Sequence, residues 1–229
     1  MKGYLLALGI LACLVILAVA FFRLNFYDVH VRYRLTVEVQ DGGQIKTGSS
    51  VIDVSYNIEP TWSPSHFNSF PVPVGYAPTV DLGEKGILFV TFSNATRTPE
   101  QRAERHRQVF CLFDDIGCLP FAAYNKPGGA ADFPRKKAAL DELLRQSGPR
   151  DVPFIALPEL IRFVNIDGQH RYVKLPPNDV ATSFGPGVEL KRVVVQLTDD
   201  AVTPMPEIWP QWLKEKGQMS AVLKGYQSD

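Results

Sequence analysis

The chain has 229 residues, with 24 Lys plus Arg against 24 Asp plus Glu. That balance gives no argument for nucleic acid or for a strongly acidic partner. Hydrophobic residues make up 45%, and the 18 prolines and 17 glycines fall mostly between periodic segments, which describes a loop-rich folded domain and excludes a disordered one.

The first predicted element is apolar throughout. Lys2 precedes it, Arg23 closes it, and no polar residue separates Leu5 from Phe22. Such a length suits a helix crossing a bilayer, with Phe21, Phe22, Arg23 and Tyr27 as its interfacial end. Ala18-Val19-Ala20 offers a cleavage site as the alternative, and Ile10-Leu11-Ala12-Cys13 a lipoprotein one. The expected arrangement is a transmembrane anchor (or signal peptide) over residues 1–24 and one domain over 25–229. This makes a single-pass protein of the bacterial inner membrane with its soluble domain in the periplasm.

From His30 to Gln40 the chain alternates, with Val31, Tyr33, Leu35, Val37 and Val39 on one face, the pattern of a half-buried strand. Asp41-Gly42-Gly43-Gln44 supplies a two-residue turn, and Ile52, Val54, Tyr56 and Ile58 resume the alternation. Closing Asp41 on Gln44 sets Tyr33 opposite Ile52 and Val31 opposite Val54. Lys46, Gly48 and Ser50 then fall opposite Val39, Val37 and Leu35, which calls for a bulge at Gly48 or for cover from elsewhere.

Glu59–Thr79 reads as a long Pro-rich loop fastened by Trp62, Phe67, Phe70 and Tyr76, and Gly86–Phe92 as a short buried strand. Thr98-Pro99-Glu100-Gln101 is a capping box opening a helix with Ala103, His106, Phe110 and Phe113 inward. Asp132-Phe133-Pro134 opens another, with Leu140, Leu143 and Leu144 inward, Asp141 placed to pair with Arg145, and Gly148 as the stop. Val152–Val164, interrupted by Pro158, reads as a strand or a strand and a turn of helix, and Val188–Thr198 as a further strand. The order is α+β or mostly β, opening with a β-hairpin.

The hairpin segment Arg32-Tyr33-Arg34-Leu35-Thr36-Val37-Glu38-Val39, the return Lys46-Thr47-Gly48-Ser49-Ser50-Val51-Ile52, and Thr182-Ser183-Phe184-Gly185-Pro186-Gly187-Val188 resemble uncharacterised membrane-anchored proteins of proteobacteria. The resemblance implies a recurring fold and brings no activity, ligand or catalytic residue with it.

Chemistry-bearing residues are scattered. Ser65-His66 and Ser49-Ser50 supply hydroxyls and a base for a serine nucleophile, but G-x-S-x-G is absent. His30, His66, His106 and His170 share no metal-ligand spacing, and no metal or cofactor is expected. Asp114-Asp115 and Asp199-Asp200 read as turn and strand-end acids. Cys111 and Cys118 form a disulfide candidate if the domain is exported.

Two features are candidates for a binding surface, the first also readable as a solvated turn partly neutralised by Asp132, Asp141 and Glu142. Arg135, Lys136 and Lys137 crowd the first turn of a helix, where the macrodipole disfavours cations. Ile208, Trp209 and Trp212 form an aromatic patch near the C-terminus, suited to docking a partner or to packing back on the sheet. The function expected from these features is a membrane-anchored extracytoplasmic, non-catalytic binding module with a protein or anionic lipid partner. The alternative is an exported hydrolase built on Ser65 or Ser49 with a histidine.

Overall fold

β1 (Tyr27–Asp41) and β2 (Gln44–Ile58) pair without interruption from Tyr27↔Ile58 to Asp41↔Gln44 in a computed structural model that describes residues 2–59, 71–94, 118–124 and 133–215. Tyr33 faces Ile52 and Val31 faces Val54, as the alternation requires. Gly42 and Gly43 turn the chain at φ of 53° and 93°, the left-handed pair that a two-residue hairpin needs and that glycine adopts without a Cβ clash. The alternate β1 residues from Val31 to Val39 are buried and those between them are partly exposed.

β3 (Val72–Val74), β6 (Arg150–Asp151) and β9 (Val188–Leu197) join the hairpin in a five-stranded antiparallel sheet of order β3-β2-β1-β9-β6. β4 (Thr79–Asp81), β5 (Ile87–Asn94), β7 (Pro158–Ile166) and β8 (Gln169–Leu175) form a second antiparallel sheet of order β4-β5-β7-β8. The fold is therefore mostly β, which settles the choice left between α+β and mostly β. Among the described residues, the helices of the domain are covers on these sheets: α2 (Leu119–Ala123), α3 (Phe133–Leu143), α4 (Ala181–Phe184) and α5 (Gln211–Glu215).

The long hairpin takes two covers. Near its turn, a Cβ on Gly48 would lie 2.0 Å from the Thr79 carbonyl oxygen, so β4 crosses the hairpin at backbone contact. Cover from β4, and not a bulge in the hairpin, answers the run of poor core residues at Lys46, Gly48 and Ser50. The bulge of this sheet lies in the β1–β9 pairing, between Glu38 and Val39. Near the base, Phe121 of α2 meets Tyr56 edge-on with 5.7 Å between ring centroids, and Leu140 and Leu143 of α3 enter the same core. Leu144, expected inward, is exposed, because the helix ends at Leu143 and the chain turns away.

β5 and β7 are apolar on both faces. Leu88, Val90 and Leu160 belong to the main core, whereas Phe89 and Ile161 belong to a second, smaller one with Trp209 and Leu213. The C-terminal segment is thus the cover of the far face of the second sheet.

The start of the chain corrects the sequence reading. α1 (Lys2–Asn25) is helical, and its side chains from residue 7 to residue 22 are all exposed. Among the described residues no helix is long and apolar enough to cross a membrane. The transmembrane anchor, and the single-pass inner-membrane placement with a periplasmic domain that followed from it, are not supported. Cys118 is buried and disulfide-bonded, Cys13 is an exposed free thiol, and Cys111, the partner expected from the sequence, lies outside the described residues.

Candidate binding surface

The far face of the second sheet brings together residues that the sequence keeps apart. β7 and β8 pair from Leu160↔Leu175 to Ile166↔Gln169 around the tight turn Asp167-Gly168. On one face this register aligns Phe163 with Tyr172, whose rings sit edge-on 6.5 Å apart. Phe89 meets Phe163 at 5.0 Å and Trp209 at 6.0 Å. Trp212 meets Phe163 edge-on at 5.2 Å and lies flat on His170 at 3.8 Å. Edge-to-face and offset arrangements are those that the ring quadrupoles favour.

Of the sequence-predicted patch, Trp209 is buried and is the anchor of the second core, so it packs back on the sheet and offers nothing to a partner. Its indole nitrogen has no hydrogen-bond partner among the described residues. Trp212 is half-buried beside it, and Ile208 stays exposed. Tyr172 and Val173 of β8 are exposed too. The sequence reading missed β8 altogether.

β8 occupies the end of its sheet, and no described strand pairs with its outer side. Four strands hold edge positions in the two sheets, and three of them are short: β3 and β4 have 3 residues each and β6 has 2. β8 has 7, in unbroken register. It carries His170, Arg171 and Lys174 and no acid. The Lys174 ammonium pairs with the buried Glu159 carboxylate. Arg171 makes no ion pair among the described residues, and its guanidinium donates to Gln169 Oε1 at 3.4 Å.

The cation cluster is used internally in part. Arg135 is exposed, Lys136 is half-buried, and Lys137 Nζ donates to Asp141 Oδ2 at 2.8 Å while lying 4.6 Å from the Tyr27 ring centroid. The Tyr27 hydroxyl donates to the other Asp141 oxygen at 2.5 Å. Lys137 first, then Tyr27, hold the Asp141 carboxyl below its usual range. Burial, then the Asp141 hydrogen bond, push the Tyr27 hydroxyl up to about 12. The Asp141 carboxylate thus bonds Lys137 in place of the expected Arg145.

The hydrolase candidates do not assemble among the described residues. Ser65, His66, His106 and Asp114-Asp115 lie outside them. The Ser49 hydroxyl lies 3.2 Å from that of Thr36, and Ser50 is buried, donating to the Tyr76 carbonyl at 2.6 Å. His30 Nδ1 meets Asp53 at 3.0 Å. The Asp199 and Asp200 carbonyls accept from Arg32, and the Asp200 carboxylate pairs with Arg34. No described cluster of His, Cys, Asp and Glu is suited to a metal ion.

Two adjoining clefts of about 470 and 410 Å³ flank Pro177 and Asn178 above the start of β9. Their charges are committed locally: Asp179 accepts from Thr182, Lys191 pairs with Glu189, and Arg192 holds Glu38 through two hydrogen bonds of 2.9 Å. Glu38 is accordingly held below the usual carboxylate range by Arg192.

No family model matches the chain, and no curated protein and no solved structure matches it.

Proposed function

We propose that the domain is a non-catalytic binding module that receives an extended protein segment along the outer side of β8. One observation carries the reading. Proteins blunt their sheet edges by keeping edge strands short, and β3, β4 and β6 follow that rule while β8 does not. Half the backbone donors and acceptors of a regular antiparallel edge strand point outward, ready to pair with another chain. Strand addition of this kind draws affinity from main-chain hydrogen bonds and selectivity from the neighbouring side chains. Tyr172, Val173 and the Trp212–His170 pair flank the edge and supply those side chains.

The test is to select peptides from a random twelve-residue display library on the full chain and to map amide exchange with and without each selected peptide. Slowed exchange at residues 169–175 is the expected result. Selected peptides that protect only the clefts beside Pro177, or the α3 cations, overturn the assignment of the surface.

A further inference from the structure

The charge of β8 narrows the partner. The strand presents His170, Arg171 and Lys174 with no acid, and opposite charges facing one another across strands are stabilising. A two-fold pairing of two copies centred on Tyr172 sets Arg171 opposite Val173, with no acid to meet it. No register within β8 supplies an acid, so a second copy leaves Arg171 without a counter-charge and is a poor occupant. The two faces of the edge also differ. Tyr172 shares a face with Phe163, and His170 on that face is stacked on Trp212. Lys174, also there, is already neutralised by Glu159. Arg171 projects on the opposite face, with Arg162 two residues from its cross-strand partner Val164. Arg162 is taken up by the Ser183 carbonyl and the Phe184 ring, which leaves Arg171 as the cation of the edge with no acid of its own among the described residues.

Resting on the binding-module reading above, we propose that the segment received by β8 is an acidic strand of another protein. It alternates acidic residues, which meet Arg171 on one face, with apolar residues, which lie against Tyr172 and the stacked pair on the other. Side chains of successive strand residues point to opposite faces, so this alternation is the pattern that satisfies both faces at once.

The probes are three blocked, labelled octapeptides titrated into the full chain by fluorescence anisotropy: alternating glutamate and valine, alternating lysine and valine, and the first with a central proline. The glutamate peptide should bind at least about fivefold tighter than the lysine one, in keeping with the size of cross-strand charge pairs, and the proline version should lose most of its affinity. Arg171→Glu should weaken the glutamate peptide about fivefold and strengthen the lysine peptide, with Arg171→Gln in between and far-ultraviolet circular dichroism unchanged for both. Equal affinity for the two charged peptides, or insensitivity to both Arg171 variants, overturns the acidic partner. If neither octapeptide binds while library peptides still protect residues 169–175, the charge inference fails and the edge reading stands. If no peptide protects that strand, both fail. A concentration-dependent dimer in sedimentation that Arg171→Glu abolishes would also overturn the proposal, in favour of a second copy.

Discussion

The Trp212 indole lies flat on the His170 imidazole, with 3.8 Å between ring centroids and 4° between planes. Trp212 belongs to α5 and His170 to β8, so this contact ties the cover of the second core to the exposed sheet edge. An aromatic pair contributes about 0.5–1.5 kcal/mol beyond the area it buries. Replacing His170 by Ala should therefore cost about 1 kcal/mol in urea unfolding. It should also speed amide exchange through residues 205–213 more than through the hairpin. Unchanged exchange there would show that the stack does not hold the cover down.

Trp209 is 2% exposed, and its indole nitrogen lacks a hydrogen-bond partner among the described residues. Truncation to Ala empties the middle of the second core and should cost about 3–5 kcal/mol. Trp209→Phe keeps most of the ring contacts with Tyr76 and Phe89 and removes a buried donor whose desolvation costs about 1–3 kcal/mol. Its net loss should be less than half that of the Ala variant. Equal losses in denaturant titration would mean that the donor is not a liability in the folded protein.

The hairpin was legible because three local signals agreed: an unbroken alternation, a Gly-Gly turn, and a register in which both apolar faces coincide. β8 was not legible, since His170, Arg171 and Lys174 dilute its alternation and only Leu175 is buried. Asp167-Gly168 was the usable clue, a two-residue turn after an apolar strand, with Asp167 at φ 52°. The burial of Trp209 could not be read locally either. It depends on Phe89 and Ile161 facing away from the main core, which is decided by the pairing of β5 with β7. The apolar run at the start was plain in the sequence, but apolarity alone does not fix what a helix does, and among the described residues no helix is long and apolar enough to cross a membrane.

Gly48 tests the crossing of β4 over the hairpin. A Cβ there would meet the Thr79 carbonyl oxygen at 2.0 Å and its carbon at 2.6 Å, and backbone cannot rotate aside as a side-chain tip can. Gly48→Ala should cost about 1–3 kcal/mol or more, the range for overpacking a well-filled core. The urea midpoint should fall with little change in slope. Wild-type stability in this variant would mean that β4 does not lie against the hairpin at that point.

The contacts among Tyr27, Asp141 and Lys137 give the base of the hairpin a pH dependence with two limbs. The folded-state Asp141 carboxyl is depressed, first by Lys137 and then by Tyr27. Its contribution is therefore present above the unfolded value near 3.8 and is lost as pH falls through the lower folded value. The Tyr27 hydroxyl is raised from 10.0 to about 12, first by burial and then by Asp141. Its contribution is complete below pH 10 and is lost as pH rises toward 12. Tyr124, raised by burial as well, shares the alkaline limb. Tyr27→Phe should lower stability near neutrality by about 1 kcal/mol, the net worth of one hydrogen bond, and flatten the fall above pH 10 without removing it. Asp141→Asn should remove its share of the acid limb while leaving a smaller alkaline one. Urea unfolding from pH 3 to pH 12 on the wild type and both variants measures each limb. If Tyr27→Phe leaves the alkaline fall undiminished, Tyr27 is not the group that titrates there.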